Sequence, residues 1–283
     1  MIAHMPVAYT IRRARPLLAD AALLAAVEHA SLGDSVYSPA QMRAVLERPE
    51  HHVYLATNAD EVVGFCACFE TDAGRRLEVD LLGVLPNWRG RGIARSLIEH
   101  ALDEARARGA RSARGVVAAG NAASRRAFEH AGLVAHATTA GVVIYAMLVY
   151  AILGLAPQTL PDGWQWETNT PEAAQTPSSV ALERLSLSLS GQVVAEADCL
   201  PVQTLCYRGL WVERCEVPPG AAERRMARAL AERAKQLELD QVGFLAPQPE
   251  PQPAVRAAPR MLAWVREGYR DMGDYTVYEV RWP

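Results

Sequence analysis

Lysine is almost missing from this chain: Lys235 is the only one among 29 basic residues, and arginine carries the remaining positive charge. No functional class follows from that imbalance. The formal net charge of −3 gives no basic footprint for nucleic acid. Cysteine is scarce too. Cys66, Cys68, Cys199, Cys206 and Cys215 show neither a Cys-x-x-Cys spacing nor paired histidines, so no metal is expected. An odd count without a secretory signal points to reduced thiols in the cytoplasm. The longest apolar run, Val142 to Leu155, is too short for a membrane span and reads as a buried strand entering a linker.

What is present is ordinary in bulk and specific in one place. With 283 residues, 50% hydrophobic and 22% charged, the chain suits a soluble globular protein of about two domains. The specific place is Val84-Leu85-Pro86-Asn87-Trp88-Arg89-Gly90-Arg91-Gly92-Ile93-Ala94. A strand-like run from Leu77 to Val84 meets a proline-marked turn, passes two glycines and becomes helical from about Ile93. Such a turn leaves backbone N–H groups unpaired at the positive end of a helix dipole. It predicts an anion site where Gly90 and Gly92 let a phosphate approach the backbone and Arg89 and Arg91 add full charges. Taken alone, a Gly-x-Gly is equally an ordinary strand-to-helix turn.

Strand and helix signals alternate around it. Tyr9 to Arg15 is strand-like, and a helix capped by Asp20 runs to about His29. Ser38-Pro39 opens a second helix, with serine as cap and proline in the first turn. His51 to Ala56 and Glu61 to Glu70 form a hairpin, followed by a strand from Arg76 to Val84. A long helix runs from Ile93 to about Arg108, ended by Gly109. Then come a strand (Ser112 to Ala118), a helix capped by Asn121 and closed by Gly132, and strands at Leu133 to His136 and Gly141 to Tyr150.

Two motifs sit in this order. Arg89-x-x-Gly92-x-Ala94 follows the strand carrying Glu78 and Asp80, and Asn121-x-x-Ser124-x-x-x-Phe128-x-x-x-Gly132-Leu133 begins 32 residues after Arg89. Motifs and element order together resemble the GNAT superfamily of N-acetyltransferases over residues 8 to 150. The resemblance implies a mixed α/β sheet with the acyl-CoA N-acyltransferase fold and acetyl-CoA as co-substrate. The backbone at Leu82, Gly83 and Val84 would then pair with the pantetheine arm and polarise the thioester. Arg89, Gly90, Arg91, Gly92, Ile93 and Ala94 would hold the pyrophosphate, with Asn121, Ser124 and Phe128 beside the arm. Asn121 reads equally as a plain helix N-cap.

The second half is a worn copy of the first. Gly209 to Pro219 lies over Arg76 to Pro86 at a constant offset of 133, and Met226, Ala227 and Leu230 continue over Ile93, Ala94 and Leu97. Trp264-x-x-x-Gly268-Tyr269 repeats Phe128-x-x-x-Gly132-Leu133. The anion loop is not kept: Ala222, Glu223 and Arg225 replace Arg89, Gly90 and Gly92, which puts a carboxylate where a pyrophosphate needs donors. No counterpart of the two early helices is visible between Pro161 and Gly209. The expected organisation is a GNAT domain over residues 1–155 with the acetyl-CoA site, then a degenerate GNAT-like domain over residues 156–283 acting as a packing or lid partner. Pro157, Pro161 and Asp162-Gly163 mark the link, and Pro247 to Pro253 reads as an exposed loop.

Strand alternation places Glu78 and Asp80 on one face, in an otherwise apolar strand. An alkyl ammonium must lose a proton before attacking a thioester, so Glu78 first and Asp80 second are the candidate bases. Binding a cationic substrate or facing solvent are the plainer roles. Phe128 departs from the tyrosine that many family members use to protonate the leaving thiolate, which leaves Tyr145 or water for that task. The expected activity is acetyl transfer from acetyl-CoA to a primary amine, on a small molecule or on a protein or peptide. A catalytically weak acyl-CoA sensor is the alternative. Tandem members such as mycothiol synthases would carry the active copy second, the reverse of this chain. The acceptor loop Ser31 to Tyr37 carries no general code. Expected partners are acetyl-CoA and an amine, with no nucleic acid and no membrane, and a homodimer is left open.

Overall fold

The computed structural model describes residues 8–33, 37–135, 142–148, 163–169, 182–205, 207–247 and 262–283, with 142–148 described by backbone alone. The first half runs β1 (Thr10–Arg13), α1 (Leu18–Leu32), α2 (Pro39–Leu46), β2 (His51–Asn58), β3 (Glu61–Thr71), β4 (Arg76–Val84), α3 (Ile93–Ala107), β5 (Ser112–Ala118), α4 (Ala122–His130), β6 (Val134–Ala135) and β7 (Val142–Leu148). The second half runs β8 (Trp164–Asn169), β9 (Glu183–Leu189), β10 (Gln192–Gln203), β11 (Arg208–Glu216), α5 (Ala221–Gln236), β12 (Gln241–Pro247), α6 (Leu262–Arg266) and β13 (Arg270–Arg281). Among the described residues no helix lies between β8 and β9, where the first half has α1 and α2 between β1 and β2. No helix among the described residues is long and apolar enough to cross a membrane.

Local chemistry explains most element ends. Ser38 accepts from the Gln41 N–H while the Gln41 side chain accepts from the Ser38 N–H at 2.9 Å, a reciprocal cap that starts α2. Gly109, at φ +99°, follows α3 in a left-handed conformation that costs other residues more. The helix α3 buries Ile93, Leu97, Ile98, Ala101, Leu102 and Ala105, a single stripe at helical spacing. The expectation for Asp20 is corrected. The helix α1 begins two residues earlier, with Leu17 at its cap, and the Asp20 carboxylate instead accepts from the Arg12 guanidinium at 2.7 Å and the Arg15 N–H at 2.7 Å. A buried acid prefers a guanidinium and an N–H together to a helix end alone.

Among the described residues thirteen strands form one continuous sheet, and the order shows how the halves join: β1-β2-β3-β4-β5-β13-β7-β12-β11-β10-β9-β8, with β6 on β13. The last strands are exchanged. The strand beside β5 is β13, paired antiparallel from Tyr275 on Ala118 to Arg281 on Ser112. The strand beside β12 is β7, paired from Gln241 on Leu148 to Pro247 on Val142. Each half therefore closes its sheet with a strand from the other. The boundary expected at 155/156 falls outside the described residues, as do the proposed link short of Gly163 and residues 248–253 of the expected loop, whereas Pro247 is not loop but the last residue of β12, paired with Val142. The described strands cross that boundary in both directions.

The halves also share side chains. Tyr278 on β13 is fully buried in the core beneath α3 and α4, with Leu77, Val79, Leu97 and Phe128. Leu205, in the turn after β10, is buried among Leu24, Met42, Leu55 and Phe65 under α1 and α2. Arg48 donates to the Gln203 side chain beside it. A fragment ending at residue 155 would lose the partner of β5 along with Tyr278. It is expected to aggregate and to bind a dye for exposed apolar surface. A monodisperse 1–155 fragment that melts cooperatively at the full-length Tm would show that the exchanged strand is dispensable.

Candidate functional site

Two neighbouring parallel strands part company here. Strands β4 and β5 pair from Arg76 on Ser112 to Val79 on Gly115, and among the described residues they share no further pairs. The next residue, Asp80, is a bulge: Val79 faces Cys68 and Leu81 faces Ala67, so the register with β3 steps over Asp80. A bulge bends and twists its strand. Past it, Leu81 to Val84 keep their bonds to β3 but turn an unpaired backbone edge toward the gap. Leu82 and Val84 pack toward the α3 core and Leu81 toward α1 and α2.

The gap leads to the anion loop. Pro86–Trp88 form one 3-10 turn, Gly90 (φ +76°) and Gly92 (φ +81°) are left-handed, and α3 starts at Ile93 with Gly92 as its cap. No side chain caps this helix, and its first turn carries no acidic residue. Its N–H groups and dipole are thus available to an anion. Among the described residues nothing lies within 4 Å of where a Cβ would stand at Gly90 or Gly92. Arg89 donates to Val84 O at 3.1 Å and Ser31 O at 2.8 Å, tying the loop to the end of α1. The Arg91 guanidinium stacks on Trp88 at 4.9 Å and donates to Asn87 O.

On the far wall, Asn121 Oδ1 accepts from the Ser124 N–H at 3.1 Å, which is the N-cap role. Phe128 leans on the backbone of β5. A Cβ at Gly115 would meet its ring at 2.2 Å, so only glycine fits there. Tyr278 meets Phe128 at a tilt, with ring centroids 5.7 Å apart, but its hydroxyl donates to Glu129 at 2.8 Å and accepts from Arg125 at 3.2 Å. Burial, with Glu129, pushes that phenol above its usual range. The side chain of Tyr145 lies outside the described residues.

On the opposite face of the splay is a cavity of ≈ 320 Å³ walled by both halves, lined among others by Glu78, Asp80, Arg114, Leu200, Trp211 and Glu213. The two candidate bases differ sharply there. Glu78 is only 7% exposed, and its carboxylate accepts from Arg76 at 2.5 Å, Arg114 at 2.9 Å and Thr71 at 3.3 Å. Arg114 also grips Glu213 with two bonds, at 2.6 and 3.1 Å, and Arg76 reaches the same carboxylate at 3.1 Å. Burial alone would raise the Glu213 pKa, but the two guanidiniums outweigh it and hold the acid below its ordinary range. Asp80 is half-buried at the bulge, where the strands part.

Residues 22–133 match the model of the Acetyltransferase (GNAT) family. Over that stretch the chain is similar to the GNAT acetyltransferases. The GNAT fold extends over both halves. A crystal structure of a GCN5-related N-acetyltransferase from Sphaerobacter thermophilus matches 96% of this chain and 95% of its own length, with a TM-score of 0.58 and 16% identity. A tandem GNAT protein from the clavulanic acid biosynthesis pathway matches 97% of this chain and 98% of its own, with a TM-score of 0.56 and 13% identity. A GCN5-related glucosamine N-acetyltransferase region of a fungal multi-domain GH3 β-N-acetylglucosaminidase matches 98% of this chain with a TM-score of 0.60 and 15% identity. This chain spans only 38% of that protein. No curated protein sequence matches the chain.

The second GNAT copy keeps the frame and not the anion loop. The strands β11 and β12 stop pairing at Val212 on Phe244, and Glu213 is the bulge residue between Val212 and Arg214. At the start of α5, however, Glu223 turns its carboxylate back to the Gly220 N–H at 3.4 Å and accepts from Trp264 at 3.0 Å. Sequence reasoning missed the network of Arg76, Glu78, Arg114 and Glu213. Only one sign of it was readable: Glu213 lies over Asp80 at the offset of 133.

Two outcomes follow. Calorimetry should find one CoA per chain, and Gly92→Glu should abolish binding by placing a like charge at the loop; two equivalent sites would contradict the assignment. Glu213→Gln should destabilise by roughly 1.5–3 kcal/mol near neutral pH. A depressed folded-state pKa stabilises fully above the unfolded value of about 4.3, and that contribution fades as the pH falls through it. The Tm gap between wild type and Glu213→Gln should therefore narrow below about pH 4. A gap constant down to roughly pH 3 would exclude this ionic contribution.

Proposed function

We propose that the protein is an N-acetyltransferase that moves the acetyl group of acetyl-CoA to a primary amine, with one active centre per chain. The observation that carries this reading is the meeting of three features at one place: the unpaired edge of β4, the uncapped N-terminus of α3, and a carboxylate at the bulge. The first-turn N–H groups of α3 and the arginines of the loop fit the pyrophosphate. The edge at Leu82 to Val84 fits the amide-bearing pantetheine arm, running toward the splay. Asn121, Ser124 and Phe128 flank the same arm. The working unit is the first half closed by β13, with the second half as its wall. Cys66, Cys68, Cys199 and Cys215 are free thiols, in keeping with a reducing compartment such as the cytoplasm.

The amine arrives as an ammonium with a pKa near 10 and gives a proton to Asp80, directly or through water. Its nitrogen attacks the thioester carbon. The C–N bond forms, the C–S bond breaks, and the electron pair leaves on sulfur as the CoA thiolate. The second N–H proton is lost to solvent while the thiolate takes one up, so one proton is released per turnover. A thiol with a pKa of about 8.5 departs tolerably as an anion, which is compatible with Phe128 in place of a tyrosine. Asp80 takes precedence over Glu78, because Glu78 is buried with both oxygens held by guanidiniums, while Asp80 stands half-buried where the strands part.

Asp80→Asn should lower kcat by roughly 10²–10⁴ with CoA affinity nearly unchanged, and the loss should shrink as pH rises and the amine deprotonates itself. Glu78→Gln should act mainly on Tm. Wild-type rates for Asp80→Asn across neutral pH would remove the aspartate from the chemistry. CoA binding without turnover on any amine would favour the sensor reading.

A further inference from the structure

Resting on the acetyltransferase reading, we propose that the cavity between the two halves is the acceptor site. It selects a singly charged amine carried on an apolar, ring-bearing body, with the ammonium at Asp80 and the body against Trp211, Leu200 and Val202. The second copy is then the specificity element of the first.

The cavity, at ≈ 320 Å³, stands at the small end of ligand pockets and suits one compact molecule rather than a polymer. It opens onto the residues where the strands part: Val79, Asp80, Gly115 and Val116 all line it. An amine inside therefore approaches from the side of the sheet opposite α3, where the phosphates of CoA would sit.

The lining sets the valence. The Asp80 carboxylate lines the cavity beside the network of Glu78, Glu213, Arg76 and Arg114. A second ammonium on the same molecule would fall among Phe69, Leu200 and Val202, which form an apolar cluster of their own.

The walls set the body. Trp211 meets Tyr207 edge to face, with centroids 6.0 Å apart. The Tyr207 hydroxyl donates to Leu210 O at 3.2 Å, so the residue offers its ring and not its donor. Arg114 donates to both Glu78 and Glu213, and the Thr71 hydroxyl is engaged with Glu78. A hydroxyl-rich sugar would shed water here without finding partners. The register adds a second observation: Trp211 occupies in the second copy the place of Glu78 in the first, so the second copy presents a ring where the first presents an acid.

The test uses the full-length protein with acetyl-CoA and a panel of 2-phenylethylamine, tryptamine, glucosamine, spermidine and a lysine-containing peptide, read by thiol release and product mass. The two aryl amines should exceed the others in kcat/KM by roughly ten- to hundredfold. Trp211→Ala should raise their KM about tenfold, with kcat within about threefold and CoA affinity by calorimetry unchanged, and Trp211→Phe should recover most of the loss. A higher kcat/KM for spermidine or glucosamine would overturn the acceptor class while leaving acetyl transfer in place. Aryl amines that bind the CoA-loaded protein, lose that binding in Trp211→Ala and are never acetylated would uphold the cavity's selection and sink the chemistry. Neither turnover nor binding of the aryl amines overturns the proposal, as does an unchanged KM in Trp211→Ala.

Discussion

Everything in this molecule depends on the pairing of β13 with β5. A parallel sheet edge carries a full row of unsatisfied N–H and C=O groups, and β5 would be such an edge without its antiparallel neighbour. The chain meets that demand with residues 275–281 rather than with β7, the nearer strand in sequence. The same exchange gives β7 to β12. Two small sheets thereby become one. Tyr278 enters the first core, and the turn at Leu205 seals the helices α1 and α2. None of these contacts is available to either half alone.

The exchange also explains how a copy without an anion loop retains a place in the protein. In both halves a bulge sets one acidic residue at the point where two parallel strands diverge, Asp80 in one and Glu213 in the other. The frame of the sheet turns both toward the same cavity. Glu213 has no anion loop of its own copy to serve, since Glu223 folds onto the start of α5. It instead neutralises Arg114 and Arg76, which would otherwise confront an incoming cation.

Much of the fold was legible because the signals that bound elements are local. Strands β4 and β5 fall on the residues expected, and Ser38, Gly109, Asn121 and Gly132 act where their chemistry places them. Asp20 shows the limit of local reading: its position suits a helix cap, but two arginine residues reached it first. The partner of each terminal strand was not legible. Alternating apolar residues specify that a strand is buried and which face it hides, and say nothing about whose sheet it joins. At the candidate site, the anion loop and the paired acids stood in sequence order, whereas the charge network joins Arg114 to partners 36 and 99 positions away. Distance along the chain hides such pairs. Only the internal repeat brought Glu213 into register with Asp80.

The exchanged strand has a consequence for how the protein is made. On a ribosome the first half emerges with β5 lacking its neighbour, and that vacancy persists until residues 275–281 arrive. At about 5–20 residues per second, the interval is on the order of ten to thirty seconds. Contacts this far apart in sequence also form slowly, because the intervening loop must first be closed. The bulge and the anion loop, by contrast, are assembled from neighbours early. A nascent chain thus holds the parts of a cofactor cleft well before it holds the strand that fixes their spacing, and its competence is decided by the last stretch to be translated.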